Sequence, residues 1–316
     1  MKRRNGNLIT IGSFDGVHRG HWTLLDKTVL EAKKRNLVPM ALTFDVPPRM
    51  VIHKYPDPSV LTTPHEKEWL IRERGIEKVE FLDFDSNLAQ QKSFYFFKYG
   101  LLQKYRAKGI VVGLDFHFGV HRSGSVYDLV RWGQDFEIPV WVLPQYKWRG
   151  KVASSSWIRT LLQAKRYKEC MDVMGHPYSV FGDVVKGRGM GKKLGFPTAN
   201  LRVEPHKLLP PGIFAVRGWV LSAQPKGGFQ KRRSFVGVCN IGRRPTLLKH
   251  SPVTVEVHSL STAFDSKTRY LFVELLSRLR SERKFKNREA LQRAIQSDIR
   301  SANLFFRRQH LKHAAK

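Results

Sequence analysis

Acidic residues are scarce in this chain of 316 residues. It has 26 Asp and Glu against 56 Lys and Arg, which leaves a formal net charge of +30. A balance of this sign is usual for proteins that bind nucleic acid, and it equally suits a protein whose ligands all carry phosphate. A solvated basic surface is the plainest explanation of any single Lys/Arg cluster. The charge alone therefore leaves the class of ligand open.

Cysteine is scarcer still, since Cys170 and Cys239 are the only two and lie far apart in the sequence. They do not supply the ligands of a zinc site, and no structural disulfide is expected between them in a reducing compartment. A run of about 18 apolar residues is also missing, so no membrane span is predicted. The start, MKRRNGNLITIG, has too short an apolar part for a signal peptide. We therefore expect a cytoplasmic protein with no membrane partner.

The first half of the chain alternates short apolar runs with longer amphipathic stretches. The runs LITIGSF, LVPMALTF, VEFLDF, GIVVGLDF and PVWVL have the composition of buried strands. Stretches such as HWTLLDKTVLEAKKR and NLAQQKSFYFFKYGLLQKYR have the length and pattern of helices. This order predicts an α/β domain with a Rossmann-like parallel sheet and helices on both faces. Ligands of such sheets bind at the carboxyl ends of the strands.

The pattern changes near residues 174–177. After them come short strands separated by Gly and Pro turns: GDVVKGRGMG, GIFAVRGWVL, RSFVGVCNIG, VTVEVHSL and YLFVELL. This predicts an antiparallel sheet or small β-barrel. NREALQRAIQSDIRSANLFF predicts a closing helix, and the basic tail RRQHLKHAAK is expected to fray. With 316 residues a two-domain chain is the expectation, and we place the domains at residues 1–174 and 175–316.

A glycine-rich motif joins the first strand to the first helix in ITIGSFDGVHRGH, residues 9–21. The strand is expected to end at Gly12 and the helix to begin near His21, where free backbone N–H groups attract phosphate. Gly16 and Gly20 allow the backbone to approach a ligand closely. His18 and His21 can donate hydrogen bonds to phosphate oxygens that gain charge in a transition state. Two other interpretations stay open: helix-capping histidines, or part of a zinc site without a visible third ligand.

Two further segments support a phosphate site in the first domain. SSSWIRTLL, residues 154–162, opens another helix, and its serines either cap that helix or hold a triphosphate together with Arg159. Asp115 follows the strand of VVGLDFHFGVHRSG, which is either the ligand-binding edge or an ordinary turn.

The segments GSFDGVHRGH, VVGLDFHFG with its RSG, and SSSWIRTLL together resemble the adenylyltransferase module of bacterial bifunctional riboflavin kinase/FAD synthetases. That module belongs to the nucleotidyltransferase superfamily with HxGH and SSTxxR signatures. The resemblance implies adenylyl transfer from ATP to FMN with release of pyrophosphate. It also implies the site residues: His18 and His21 stabilise the ATP phosphates, Ser155, Ser156 and Arg159 bind the triphosphate, Gly12, Phe14 and Gly16 belong to the ATP site, and Asp115 lies at the nucleotide or flavin site.

This first module departs from the family pattern at four positions. Val46 and Pro47 of TFDVPPR stand at the first two places of the Pro-His-Pro that the family usually has after Thr-Phe. His117 stands where an arginine is common, and Ser125 where an acidic residue is common.

The second domain carries KGRGMGKKLGFPTANL, residues 186–201, which matches neither a Walker A motif nor G-x-G-x-x-G. Its glycines, Gly187, Gly189 and Gly191, can still bind phosphate through a nest of backbone N–H groups. Thr198 and Asn200 are hard oxygen donors two residues apart, which suits Mg²⁺ on one side of an extended segment. The alternative is an ordinary turn made rigid by its proline.

Glu256 lies inside the apolar strand VTVEVHSL. A carboxylate there is either a candidate general base in a pocket or an outward-facing residue of the strand. The sequence alone does not choose between these.

The pieces MGHPY, GKKLGFPTANL, PPGIFAV, GVCNIGRRPTL, VEVH and RLRSERKF resemble the riboflavin kinase domain of the same bifunctional enzymes, in the family's order. The resemblance implies a six-stranded antiparallel barrel, Mg²⁺–ATP bound by Thr198 and Asn200, and activation of the riboflavin 5′-hydroxyl by Glu256. Met190 and Lys192 stand where the family has arginine, and HSLSTAFDSKTRYLF lacks its usual Leu-Asp-Phe and Tyr-Gly elements.

Together these patterns predict an enzyme that phosphorylates riboflavin to FMN and adenylylates FMN to FAD, using ATP and Mg²⁺. Two alternatives stay open: a chain in which only one module is active, the kinase in the first place, and a basic RNA-binding regulator on the same scaffold. Nucleic-acid binding is otherwise expected only as a non-specific effect of the +30 charge.

Overall fold

The computed structural model describes residues 4–53, 60–187, 191, 194–221, 233–243, 253–261, 264–265 and 267–314. The chain forms two compact units, Met1–Thr160 with Val173–Gly175, and Leu161–Asp172 with His176–Lys316. Within the described part of the chain, no helix is both long and apolar enough to cross a membrane.

The first unit is built on a five-stranded sheet whose pairings are all parallel. Its strands are β1 Asn7–Ile11, β2 Val38–Phe44, β3 Lys78–Leu82, β4 Ala107–Gly113 and β5 Val140–Leu143. Their order across the sheet is β3-β2-β1-β4-β5. The prediction of a Rossmann-like parallel sheet is confirmed, and each strand overlaps a predicted apolar run.

Helices cover both faces of this sheet because successive residues of a strand point to opposite sides. Leu8 packs with Ala32 on one face, while Ile9 packs with Phe97 and Leu129 on the other. The helices of the first unit are α1 Arg19–Lys34, α2 Pro48–His53, α3 Pro64–Glu73, α4 Ser86–Ala89, α5 Ser93–Tyr95 followed by a π-helix Phe96–Lys104, and α6 Val126–Asp135, with a 3-10 turn Val120–Arg122. Two further helices follow, α7 Ser155–Gln163 and α8 Tyr167–Met174, and most of α8 belongs to the second unit. A short hairpin, β6 Lys147–Trp148 and β7 Lys151–Val152, precedes α7.

The prediction of one helix over NLAQQKSFYFFKYGLLQKYR is wrong, because the helix is interrupted once, between Ala89 and Ser93. The Asp85 side chain caps a short first helix by accepting a hydrogen bond from the Leu88 N–H at 2.8 Å. The Gln91 carbonyl then accepts from the Val120 N–H at 2.8 Å, so it does not continue a helical ladder. The last part forms a wide π-helix with buried Phe96. The interruption depends on a long-range hydrogen bond, which hydrophobic periodicity does not register.

The second unit contains a closed six-stranded barrel, as predicted. Its strands are β8 Tyr178–Val185, β9 Ala199–Arg202, β10 Gly212–Leu221, β11 Arg233–Arg243, β12 Val253–Ser259 and β13 Tyr270–Arg280. Neighbouring strands are antiparallel and follow the order β10-β11-β12-β9-β8-β13.

A long closing helix, α9 Arg288–Ala314, packs on the barrel. Its Ala302 joins Ile213 and Val238 in one apolar cluster. Arg280 of β13 forms a two-pronged ion pair with Asp298, with nitrogen–oxygen distances of 2.7 and 2.8 Å. The prediction that the basic tail frays is wrong up to Ala314, because residues 307–314 contain no glycine or proline to end the helix.

The two cysteines of the second unit are buried free thiols. Burial raises the pKa of the Cys170 thiol to about 12, and it also raises the pKa of Cys239. Since the thiolate is the reactive form, both thiols are inert at neutral pH.

Candidate active sites

The glycine-rich turn between β1 and α1 presents the helix start that the sequence predicted. The helix begins at Arg19, two residues earlier than expected, because His18 takes the N-cap position with an extended backbone. The His18 carbonyl accepts from the His21 N–H at 2.7 Å and from the Trp22 N–H at 3.1 Å. Its side chain makes no capping hydrogen bond to the described first turn. The helix-cap interpretation of His18 therefore applies to its backbone and not to its imidazole.

The imidazoles of His18 and His21 stack, with ring centroids 3.7 Å apart and planes 22° apart. The buried ring of Phe14 meets His21 edge-on at 5.3 Å. Burial holds the pKa of His21 well below its usual value, and the charges of His18 and Lys67 lower it further. At neutral pH His21 is therefore uncharged, and a neutral imidazole still donates one hydrogen bond.

Two glycines of this turn are closely surrounded, and at Gly16 the backbone also has a conformation that favours glycine. Gly16 has a φ of +84°, and a Cβ there would lie 2.9 Å from Leu61 Cδ1. A Cβ on Gly12 would lie 3.2 Å from the Phe14 ring. The Gly16 N–H donates to Thr62 Oγ1 at 2.9 Å, so this amide is used within the protein. Phosphate contacts of Gly12, Phe14 and Gly16 stay predictions.

Asp15, which the sequence reasoning passed over, holds this site together. Its Oδ1 accepts from the Leu61 N–H at 2.8 Å and the Thr62 N–H at 3.1 Å. Its other oxygen forms an ion pair with Arg159, and its carbonyl accepts from the Ser155 hydroxyl at 2.8 Å. The predicted triphosphate residues Ser155 and Arg159 are thus brought to the glycine-rich turn through one buried aspartate. The only indication of this role of Asp15 in the sequence was its position between Gly12 and Gly16 of the motif.

The three serines at the start of α7 have different surroundings. Ser154 caps the helix by accepting from the Trp157 N–H at 3.2 Å. Ser155 bonds to the Asp15 carbonyl, and Ser156 is exposed to solvent. The capping interpretation therefore fits Ser154, and the other two hydroxyls lie beside the turn and at the surface.

Replacing Asp15 by alanine is expected to destabilise the first unit by about 3–5 kcal/mol, because it leaves the guanidinium of Arg159 buried without this carboxylate. Asp15→Asn keeps the acceptor for the backbone N–H groups and should cost less. Denaturant unfolding of the first unit measures both. Asp26→Ala is the matched control, since its ion pair with Arg74 is exposed and worth about 0–1 kcal/mol. Equal losses at both positions contradict the role given to Asp15.

Asp115 lies just past the end of β4, at the carboxyl edge of the sheet, and is exposed. Gln145, which follows β5, donates to its carboxylate at 3.3 Å. The Nδ1 of His117 lies 2.9 Å from the Asp115 carbonyl oxygen. Ser125, where an acidic residue was expected, caps α6 in a capping box with Asp128. Asp115 is thus accessible at the edge where ligands of parallel sheets bind.

Lys67 of α3 is a second residue that the sequence reasoning missed. It is completely buried, and its ammonium donates a hydrogen bond to the carbonyl of Phe44, the last residue of β2. Its position three and four residues before the buried Leu70 and Ile71 places it on the apolar side of the helix. That spacing could have indicated, from the sequence alone, that Lys67 is buried.

In the second unit, the glycine-rich segment lies against the predicted metal-binding side chains. A Cβ on Gly187 would lie 2.2 Å from Asn200 Nδ2, and one on Gly191 would lie 2.9 Å from Thr198 Oγ1. Only glycine fits at these two places. Gly189, the third predicted glycine, lies outside the described residues, as do Met190 and Lys192.

Glu256 lies in a row of polar residues across three neighbouring strands. It pairs with Asn200 of β9 on one side and with Asn240 of β11 on the other. Val255 and Val257, its neighbours along β12, are in the core. Glu256 therefore faces away from the barrel core, as its outward-facing interpretation required. It does so beside two amides, since cross-strand partners have Cβ atoms about 4.5–5.5 Å apart.

Asn240 was also missed by the sequence reasoning. Its Oδ1 is buried and accepts no hydrogen bond from any residue that the structure describes. A buried acceptor without a donor costs free energy, so this oxygen is open to a hydroxyl or a cation. The only sequence signal was a polar residue inside the apolar run of β11.

The oxygen donors of this row fit Mg²⁺, which prefers oxygen ligands and keeps several waters when it binds with phosphates. Thr198, Asn200, Glu256 and Asn240 supply such oxygens along one stretch of barrel wall. Zinc is usually bound by His and Cys side chains. Within the described residues, no group of three or more His, Cys, Asp or Glu could hold a metal ion. The described residues therefore offer no third protein ligand for a zinc ion at the stacked histidines of the first unit.

Two family models match the chain in succession. The FAD synthetase model matches residues 1–157, and the riboflavin kinase model matches residues 174–306.

Curated relatives match nearly end to end. The bifunctional riboflavin kinase/FMN adenylyltransferase of Escherichia coli (strain K12) is 32% identical over 303 residues, covering 96% of this chain and 94% of that protein. The protein of the same name from Buchnera aphidicola subsp. Schizaphis graminum is 30% identical over 311 residues, covering 97% and 96%. A crystal structure described as a macrolide-efflux protein from Streptococcus pneumoniae matches with a TM-score of 0.77 and 25% identity over 95% of each chain. With both family models and these relatives in agreement with the two sites, the chain belongs to the bifunctional riboflavin kinase/FMN adenylyltransferase family.

Proposed function

We propose that this chain makes FAD from riboflavin in two ATP-dependent steps, one at each of its two sites. The observation that supports the proposal is that each unit has its own glycine-rich turn next to the side chains to which a chemical role is assigned here. In the first unit these are the stacked histidines, and in the second they are Glu256 and its two amide neighbours.

In the kinase step, Glu256 takes the proton of the riboflavin 5′-hydroxyl, and the freed oxygen attacks the γ-phosphorus of ATP. The bond from that phosphorus to the β-phosphate oxygen breaks, and ADP leaves. Thr198 and Asn200 would hold Mg²⁺, which neutralises charge on the phosphates. Gly187, Gly189 and Gly191 would bind phosphate through their backbone N–H groups.

In the adenylyl step, a phosphate oxygen of FMN attacks the α-phosphorus of ATP, and pyrophosphate leaves. Hydrogen bonds from His18 and His21 stabilise the charge that develops on the phosphates. The start of the 16-residue helix α1 adds a partial positive charge. Ser155, Ser156 and Arg159 bind the triphosphate, and Asp115 contacts the nucleotide or the flavin. No covalent enzyme intermediate is required, since positioning and charge stabilisation suffice.

A time course with riboflavin and Mg²⁺–ATP tests the proposal. We expect FMN to appear first and FAD to follow after a lag, as separated by chromatography. A chelator in excess of Mg²⁺ should stop product formation, because ATP then lacks its metal. FMN without FAD supports the one-module alternative. No product, together with RNA binding that weakens steeply with salt, supports the regulator and overturns the proposal.

We propose the cytoplasm as the compartment and small molecules as the partners. The buried free thiols of Cys170 and Cys239 suit a reducing environment. RNA binding through the net charge of +30 is expected to be weak in sequence preference and strongly dependent on salt.

A further inference from the structure

Lys67 carries the most unusual charge of the first unit. Lysine is almost never fully buried unless it is paired, yet the exposed fraction of Lys67 is 0%. Its ammonium lies 6.0 Å from the centre of the Phe81 ring of β3. A buried ammonium costs solvation free energy, so the surrounding structure must compensate for it.

A hydrogen bond fixes the position of the Lys67 ammonium group. This group donates to the Phe44 carbonyl at the carboxyl end of β2, which is the edge of the sheet where α1 and the glycine-rich turn also begin. Among the residues that the structure describes, the ammonium makes no other hydrogen bond, although it has three N–H groups. The side chain is therefore anchored at one point of the ligand-binding edge.

Two carboxylates face Lys67 from the neighbouring loops. Burial lowers the pKa of Lys67 to about 8, while the charges of Asp15 and Asp45 oppose that fall. Asp15 already forms an ion pair with Arg159. These partners leave the lysine charged at neutral pH and uncharged only above about pH 8.

The surroundings of Asp45 contain two more titratable groups. Burial raises the pKa of Asp45, the charges of Lys67 and His65 oppose the rise, and Asp83 adds to it. Asp45 is exposed, so its effect on Lys67 is screened by solvent more than that of the buried Asp15.

The charge of Lys67 also acts on His21. Burial lowers the pKa of His21 most, followed by the charge of His18 and then that of Lys67. The charge of Lys67 thus reaches the imidazole that is proposed to contact the phosphates. A charge in a dry site acts over longer distances than one in water.

We propose that Lys67 is a positioning residue of the adenylyl-transfer site: its wholly buried ammonium, anchored to the Phe44 carbonyl at the carboxyl edge of the sheet, gives the phosphate site a fixed positive potential that also acts on His21. Because Lys67 is wholly buried, it acts through its field and touches no substrate. This inference rests on the proposed adenylyl transfer.

The first test needs no catalysis. In Lys67→Met, which keeps the length and loses the charge, an NMR titration of labelled histidines should show a higher pKa for His21. Its resonance is assigned by its absence in His21→Asn. Lys108→Met is the matched control, since it removes the same charge from an exposed position on β4 and should leave the titration unchanged. An unchanged His21 pKa in Lys67→Met overturns the inference.

The second test is the pH dependence of kcat/KM for ATP in FAD formation, which reports the free enzyme. For the unchanged chain we expect a fall above about pH 8, where Lys67 loses its proton. Lys67→Met should raise KM for ATP roughly tenfold at pH 7 and lack this fall. Lys67→Arg, which stays charged to about pH 12, should keep activity to higher pH. A fall at pH 8 that persists in both variants overturns the inference.

Two readouts separate folding failure and failure of the proposed function from failure of this inference. Thermal unfolding of the first unit shows whether each variant is folded, and FMN formation by the second unit shows that the chain is intact. If the unchanged chain makes no FAD, the proposed function fails, and the His21 titration still decides the electrostatic role of Lys67.

Discussion

Replacing His21 by alanine is expected to reduce FAD formation by about 100- to 1,000-fold while FMN formation continues. The reason is that the imidazole donates a hydrogen bond to phosphate oxygens as they gain charge, and single donors of this kind contribute rate factors of that order. The loss should fall on kcat more than on KM for ATP, because the bond strengthens in the transition state. The assay supplies FMN and Mg²⁺–ATP directly and measures FAD and pyrophosphate.

The control for this experiment is His206→Ala, an exposed histidine of the second unit, which should leave both activities unchanged. Thermal unfolding shows whether removal of the stacked ring has disturbed Phe14 and His18 around it. If His21→Ala loses FMN and FAD formation together in a folded chain, the model of two separate sites is wrong.

Replacing Glu256 by glutamine is expected to reduce FMN formation by about 100- to 10,000-fold, the usual range for loss of a general base. The amide keeps the shape of the side chain and its place between Asn200 and Asn240, but it cannot take a proton. FAD formation from added FMN should stay at its original rate, since it takes place in the other unit. The measurement is FMN production from riboflavin and Mg²⁺–ATP.

Glu204→Gln is the matched control, because Glu204 is an exposed glutamate of the same unit. It should leave FMN formation unchanged. Should Glu256→Gln phosphorylate riboflavin at the original rate, Glu256 is an ordinary outward-facing residue of β12 and the proton acceptor lies elsewhere.

Strands and glycine turns were predictable because their causes are local. The runs of the three central strands of the first unit, β1, β2 and β4, are largely buried on both faces, as expected for a parallel strand covered by helices, and the turns of the barrel are marked by glycine and proline. The placement of Gly16 followed from the same logic, since its positive φ is a property of its own backbone. Features whose cause lies within a few residues are visible in the sequence.

The residues that were missed have distant causes. Asp15 is defined by the backbone N–H groups of Leu61 and Thr62, 46 and 47 positions away. The importance of Asn240 depends on the register that pairs it with Glu256. The broken helix before β4 depends on a hydrogen bond from Val120. Pattern alone does not contain these partners, so burial of polar groups and strand register had to come from the structure.

The two larger sheets that the structure describes differ in whether a strand edge is free to pair with another molecule. The barrel closes on itself through β10 and β13, so it offers no free strand edge to another molecule. The parallel sheet has two edges, and β3 protects one of them with the exposed charges of Lys78 and Glu80. The other edge, β5, is Val-Trp-Val-Leu without a charge. Aggregation by strand pairing is therefore expected to start at β5, and a lysine introduced there is the change that should improve solubility during refolding.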